Sequence, residues 1–166
     1  EELANHLQIT KFGVIGHSSG GPNTLACAAV LGPSRVTAFA TLGSDPEYTH
    51  FSSEYKPDWF LDFFVGKVLP PMCQVLMPWK KCANGLRNDY FLERQPYPFQ
   101  TENILQPSIV VIAENDTVLD RALTVRVHER LPNSELIIIP DVGHNQLFFD
   151  TTIDMACQKV IQLGQL

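Results

Sequence analysis

Lys11-Phe-Gly-Val-Ile-Gly-His-Ser-Ser-Gly-Gly21 is the stretch that decides the fold. Lys11 to Ile15 is a short apolar run stopped by a glycine cluster, which fits a strand. Pro22 to Leu31 is rich in alanine and leucine. Proline is tolerated in a helix's first turn, so a helix starts near Ser19 and ends at Gly32-Pro33. Val36 to Leu42 reads as a second strand. The unit is β-α-β, and its strands should be parallel and joined by a right-handed crossover. Between strand and helix, Gly16-x-Ser18-x-Gly20 puts a serine on a turn that strains its backbone and needs small neighbours. Glycines at 16 and 20 are expected to let strand and helix approach closely. The Ser19 amide, at the helix N-terminus, is placed to donate to an oxyanion. The pattern alone is common by chance; the strand before it and the helix after it give it weight.

Working outward, Glu1 to Leu7 carries Leu3 and Leu7 four apart and reads as the end of an amphipathic helix. Downstream, Asp45 to Pro107 changes character. It holds eight of the twelve prolines and twelve of the sixteen aromatic residues, including Trp59 and Trp79, so it is poor sheet material. Trp59, Phe60, Phe63 and Phe64 suit one short amphipathic helix. Such an insertion lines an apolar cavity well; a loose helical pack that only covers core is the plainer reading.

The regular pattern resumes at Ser108-Ile-Val-Val-Ile-Ala113, an apolar strand. Asp120 to Leu131 follows as a helix with Leu123, Val127 and Leu131 on one stripe, closed by Pro132-Asn133. Leu136 to Ile139 is a further strand, and Thr151 to Leu163 a last helix with Ile153, Ala156, Cys157 and Val160 expected to face inward. Strands apolar on both faces and alternating with helices indicate an α/β fold, a parallel sheet of four strands covered on both sides.

The 166 residues suffice for one domain with a sizeable core. A net charge of −6 and scattered lysines and arginines leave no footprint for nucleic acid. No apolar run is long enough to span a bilayer. The four cysteines show neither a CxxC pair nor a Cys/His metal spacing, so no metal is expected. Cys27 and Cys157 fall in apolar helical patterns and read as buried free thiols. Cys73 and Cys82 could pair in an oxidising compartment.

A serine hydroxyl is a weak nucleophile; it needs a base, and the base needs an orienting carboxylate. Ala113-Glu-Asn-Asp116 follows the third strand, and Asp141-Val-Gly-His144 the fourth. In a parallel sheet both lie at the carboxyl edge that also carries Ser18, where sites of open α/β sheets are found. Each residue has a plainer reading: Ser18 as a small turn residue, His144 as a loop histidine, Asp116 as a helix cap. Asp45, after the second strand, is the alternative acid. His17 is expected to point away from Ser18, and His6, His50 and His128 to lie on the surface.

On these residues the chain resembles the α/β-hydrolase superfamily, in its lipase, esterase and peptidase-like branch. The order Ser18, Asp116, His144 matches that superfamily's order, and Gly-His-Ser-Ser-Gly-Gly (16–21) resembles its nucleophile elbow. Gly143-His144 and the strand-then-acid segment Pro107–Asp116 are similar too, although Ala113 stands where the family often has glycine. The position of the insertion, about residues 45–107, matches the family's cap. The resemblance implies a serine hydrolase that acts on an ester or amide bond through an acyl-enzyme, with Ser19 N–H as half of the oxyanion hole and no cofactor. It also implies a small-molecule substrate with an apolar group. A silent binding protein on the same fold, and acyltransferase, peptidase or cofactor-free haloperoxidase chemistry, remain open. Serine at position 18 argues against haloalkane dehalogenase and epoxide hydrolase relatives, which use aspartate there.

The family usually has four more strands before the elbow, and a loop after one of them supplies the second oxyanion donor. The chain is accordingly read as an N-terminally incomplete domain with half of the sheet, with completion by another chain and a degenerate protein without full activity as the alternatives. Its Lys11–Ile15 strand should then pair only with Val36–Leu42, leaving an open edge that invites self-association.

Overall fold

A computed structural model describes residues 1–48 and 94–165, together with Phe63, Lys67, Val68, Asn88 and Leu92. Its elements run α1 (Glu2–His6), β1 (Phe12–His17), α2 (Gly20–Leu31), β2 (Val36–Leu42), a 3-10 turn (Thr101–Asn103), β3 (Ser108–Ala113), α3 (Arg121–Arg130), β4 (Ser134–Ile139), a second 3-10 turn (His144–Phe148) and α4 (Asp150–Gly164). The four strands form one parallel sheet in the order β1-β2-β3-β4.

The sheet order explains where the helices go. Each crossover steps in the same direction along the sheet, and right-handed crossovers then put α2 and α3 on one face. There α2 packs on β1 and β2, and α3 on β3 and β4. The chain leaves β4 for the opposite face, where α4 and the 3-10 turn before it cover Ala38, Ala40, Leu42, Ile109, Val111 and Ala113 with Ala156, Val160 and Leu147. Because β3 is covered on both sides, all six of its residues are buried, which is why its sequence is apolar without alternation. Fully buried side chains such as Phe39, Leu42 and Ile109 each contribute about 1.5–3 kcal/mol relative to exposure.

Helix ends follow local chemistry. Asp120 caps α3, its side chain accepting a hydrogen bond from the Ala122 amide at 2.9 Å. Gly32, with φ +65°, closes α2. The buried Gln106 ties the segment before β3 to α2, its amide donating to the Ala28 carbonyl at 2.7 Å.

Three expectations need correction. Leu3 and Leu7 are 70% and 56% exposed and α1 buries none of its residues, because a helix of five residues is too short to set a stripe against the sheet. Cys157 is exposed rather than inward. Ile153, Ala156 and Val160 make the inward stripe of α4 at spacings of three and four, and Cys157, about 100° round from Ala156, falls on its flank. Cys27 is half-buried. The first strand also continues past Ile15 to His17, held by pairing with Thr41 and Leu42.

The chain divides into two compact units, one of Glu1–Pro46 with Pro98–Leu166 and one of Glu47–Tyr97. In the second, the Tyr97 amide donates to Glu47 Oε1 at 3.0 Å, and the Arg94 guanidinium lies 5.2 Å from the centre of the Tyr48 ring. The Cys73–Cys82 pairing, the helix around Trp59 and the cap reading of this insertion fall outside the described residues, as does His50. Among the described residues, β1 pairs with β2 alone, and no helix is long and apolar enough to cross a membrane.

Candidate active site

The strand ends are brought level by the backbone. Ser18 N–H donates to Leu42 O at 2.9 Å, Gly43 N–H to Val111 O at 2.8 Å, and Glu114 N–H to Ile139 O at 2.9 Å. Each bond continues a parallel ladder one residue past its strand. The loops after β1, β2, β3 and β4 therefore leave from one carboxyl edge.

Ser18 has φ +55°, a left-handed conformation that costs a side-chain-bearing residue about 1–3 kcal/mol and persists only where the surroundings enforce it. Its carbonyl accepts from the Gly21 amide at 2.9 Å and the Asp45 amide at 3.3 Å, pinning the turn from both neighbouring segments. A Cβ at Gly16 would collide with the Gly20 carbonyl and the Thr24 side chain, so the close approach of β1 and α2 requires glycine there. Gly20 itself faces open space, contrary to the expectation. The second close contact is made at Gly21, where a Cβ would run into Ser44. Ser19 is the N-cap of α2, and the first-turn amides of a helix have no intrahelical acceptor.

Asp116 is held by its own loop. Oδ1 accepts from the Val118 amide at 2.8 Å and the Leu119 amide at 3.0 Å, while Oδ2 lies 2.8 Å from His144 Nδ1. The side chains of His144 and Asp116 are only 5% and 3% exposed. Burial pushes the Asp116 carboxyl up, but the Leu119 amide, the His144 ring and the Val118 amide outweigh burial and hold it below the ordinary aspartate range. An ionised carboxylate can only accept, so the proton between the two sits on Nδ1, and Nε2 of a neutral ring is left as the basic nitrogen.

The loop carrying His144 is fixed from several sides. Asn115 N–H donates to Val142 O at 3.0 Å, Asp141 N–H to Glu114 Oε2 at 3.2 Å, and Gly143 N–H to Gln146 Oε1 at 2.6 Å. Gly43, with φ +49°, lies under the imidazole: a Cβ there would be 3.1 Å from Nδ1 and 3.2 Å from Cε1. The His17 ring stands against the His144 ring, centroids 4.8 Å apart, and its Nε2 is 3.0 Å from the His144 carbonyl oxygen.

Ser18, Asp116 and His144 thus share one edge of the sheet, with Asp116 and His144 bonded. Among the described residues, Ser18 Oγ and His144 are not hydrogen-bonded to each other. The carboxylate on the His144 ring belongs to Asp116; Asp45 is buried, with its backbone amide on the Ser18 carbonyl. His128 is not a free surface residue, since its Nδ1 meets Ser134 Oγ at 2.7 Å; His6 is exposed. Sequence reasoning gave no part in this edge to His17 and passed over Gly43. A glycine directly after a strand was the available signal for Gly43, and the histidine beside the serine carried none, because its partner is a backbone carbonyl 127 residues away. No group of three or more His, Cys, Asp or Glu among the described residues could hold a metal ion.

Residues 1–81 match the family model of the α/β hydrolase fold. No curated protein matches the sequence. Among solved structures, an esterase from Exiguobacterium antarcticum superposes with a TM-score of 0.73 at 16% identity, over 98% of this chain and 70% of that one. An α/β hydrolase fold protein from Nakamurella multipartita gives 0.65 at 17% identity, over 98% of this chain and 72% of that one. A hydrolase from Pseudomonas aeruginosa gives 0.65 at 16% identity, over 96% and 68%. With the parallel sheet, the serine turn and the strand-end loops arranged as described, the described residues adopt the α/β-hydrolase fold, and residues 1–81 carry the match to that family's model.

Proposed function

We propose that this protein is a serine hydrolase that cleaves a carboxylic ester, or an amide, through an acyl-enzyme formed on Ser18. The observation that carries the reading is the buried Asp116–His144 pair at 2.8 Å, at the same sheet edge as a serine in a left-handed turn. Nothing in packing alone calls for that combination, whereas nucleophilic catalysis requires each part. The likeness to an esterase of the same fold supports the ester over other substrates.

His144 Nε2 takes the Ser18 proton as Oγ attacks the carbonyl carbon. Asp116 stabilises the imidazolium through Nδ1–H without becoming protonated. The carbonyl oxygen, now an oxyanion, is met by the Ser19 amide at the N-terminus of α2. The imidazolium then protonates the leaving alcohol or amine, and the acyl group stays on Oγ. Water gives a proton to Nε2 as its oxygen bonds the acyl carbon, and the imidazolium returns that proton to Ser18 Oγ as the C–Oγ bond breaks and the acid leaves. The aromatic-rich stretch from 45 to 107 favours a substrate with an apolar acyl or alcohol group.

An organophosphonate probe, with the adduct located by mass spectrometry, tests the reading in the intact protein. Labelling at Ser18 that disappears in Ser18→Ala and falls steeply in His144→Ala is the expected result. Retained binding of the substrate with no adduct on any serine would instead make this a silent binding protein on a hydrolase fold.

A further inference from the structure

We propose that His17 is a positioning residue that holds the backbone of His144 in register with Ser18; as a role in catalysis this rests on the hydrolase reading above. His17 ends β1 and immediately precedes Ser18, so its backbone moves with the serine turn. Its side chain reaches across to the other half of the site, with Nε2 3.0 Å from the His144 carbonyl oxygen. A carbonyl oxygen only accepts, so His17 carries its proton on Nε2 and donates it. One side chain thereby links the backbone of the serine turn to the backbone of the histidine loop.

The link matters because of what else holds His144. Asp116 fixes the ring at Nδ1 and Gly43 sets the floor beneath it, but both belong to the loops after β3 and β2. Gly43 relates His144 to the β1 turn through packing, by way of the Leu42 and Asp45 backbone bonds to Ser18, but neither group supplies a hydrogen bond between that turn and the His144 loop. Ser18 Oγ is not bonded to His144 in this structure, so the spacing that the proton transfer needs must be set by something else. His17 is in place to set it. Its ring is also packed, 4.8 Å from the His144 ring and 5.6 Å from that of Phe148, which restricts the rotamers open to it.

The test compares His17→Gln, His17→Asn and His17→Leu with the unaltered intact protein. The Gln amide presents an N–H at the reach of Nε2, the Asn amide falls one bond short, and Leu has no donor. Two readouts are taken: kcat and KM on a small aryl ester, and the downfield proton resonance of His144 Nδ1–H bonded to Asp116. Gln and Leu fill similar volumes, so a purely steric role for His17 would not distinguish them, whereas loss of the donor would. The expected result is a kcat about ten- to a hundredfold lower in Asn and Leu, with KM nearly unchanged. Both variants should shift or broaden the resonance, and Gln should recover kcat and the signal. If Leu or Asn matches Gln in both readouts, the proposal is wrong, and the Asn comparison stands even if Leu fails to fold. If the unaltered protein neither turns over ester nor labels at Ser18, the hydrolase reading fails by itself. The resonance then decides about His17: loss in Leu and Asn with recovery in Gln sustains the link, and an unchanged signal across the series overturns it.

Discussion

Replacing Asp116 by asparagine separates the two jobs that its carboxylate performs. Oδ1 accepts the Val118 and Leu119 amides at 2.8 and 3.0 Å and so shapes the loop, while Oδ2 faces His144 Nδ1 at 2.8 Å. Asparagine keeps a carbonyl oxygen for the loop but offers His144 an N–H₂ donor. The imidazole must then turn its lone pair to that donor and carry its proton on Nε2, the nitrogen that should take a proton from Ser18. A catalytic histidine in the wrong tautomer costs about 10⁴ in kcat, or about 5.4 kcal/mol of barrier at 1.36 kcal/mol per decade. Stability should change far less. Two bonds to a charged acceptor become bonds to a neutral one, at about 1 kcal/mol each, and burial of a neutral amide offsets part of that. Asp116→Ala removes all three bonds in a place where the side chain is only 3% exposed, so water cannot replace them readily, and about 3–5 kcal/mol should be lost. The assay is kcat on a saturating aryl ester together with the urea midpoint of each variant. If Asp116→Asn kept more than about a tenth of kcat, the orienting acid would lie elsewhere, with Asp45 the next candidate. If the alanine and asparagine variants were equally stable, the hydrogen-bond argument for the loop would be refuted.

Acid should act through the same group. Asp116 is held below the ordinary value of 3.8, so its contribution is full above that value and is lost as pH falls through its lower folded value; an acid titration followed by circular dichroism should show this loss and Asp116→Asn should lack it. Gly43→Ala puts a Cβ 3.1 Å from His144 Nδ1 on a residue with φ +49°, which should cost about 1–2 kcal/mol and slow labelling of Ser18. A melting temperature and labelling rate equal to those of the unaltered protein would show that the His144 ring does not rest there. Because β1 pairs with β2 alone among the described residues, the 166-residue chain should self-associate, with a sedimentation coefficient that rises with concentration. A Val14→Lys change should blunt that rise, and a strictly monomeric chain at all concentrations would count against an available edge.

Among the described residues, the sequence by itself determined the four strands, the helices between and after them, and their order. Ser108–Ala113 and Val36–Leu42 could be read to the residue, since a strand buried on both faces is a continuous apolar run bounded by turn residues. The serine turn was legible because strained backbone demands small neighbours close in sequence, and the carboxyl-edge positions of Asp116 and His144 follow once the strands are parallel. Only the tertiary structure decided what depends on contacts across the chain. It put Asp116 rather than Asp45 on the imidazole, because a bond 2.8 Å long depends on loop paths that no local pattern specifies. It also moved the second close approach from Gly20 to Gly21, turned Cys157 outward, and brought His17 onto the carbonyl of a residue 127 positions away. Periodicity reports which face of an element is apolar. Which atom meets which partner is set by how the loops pack, and that is a property of the folded chain.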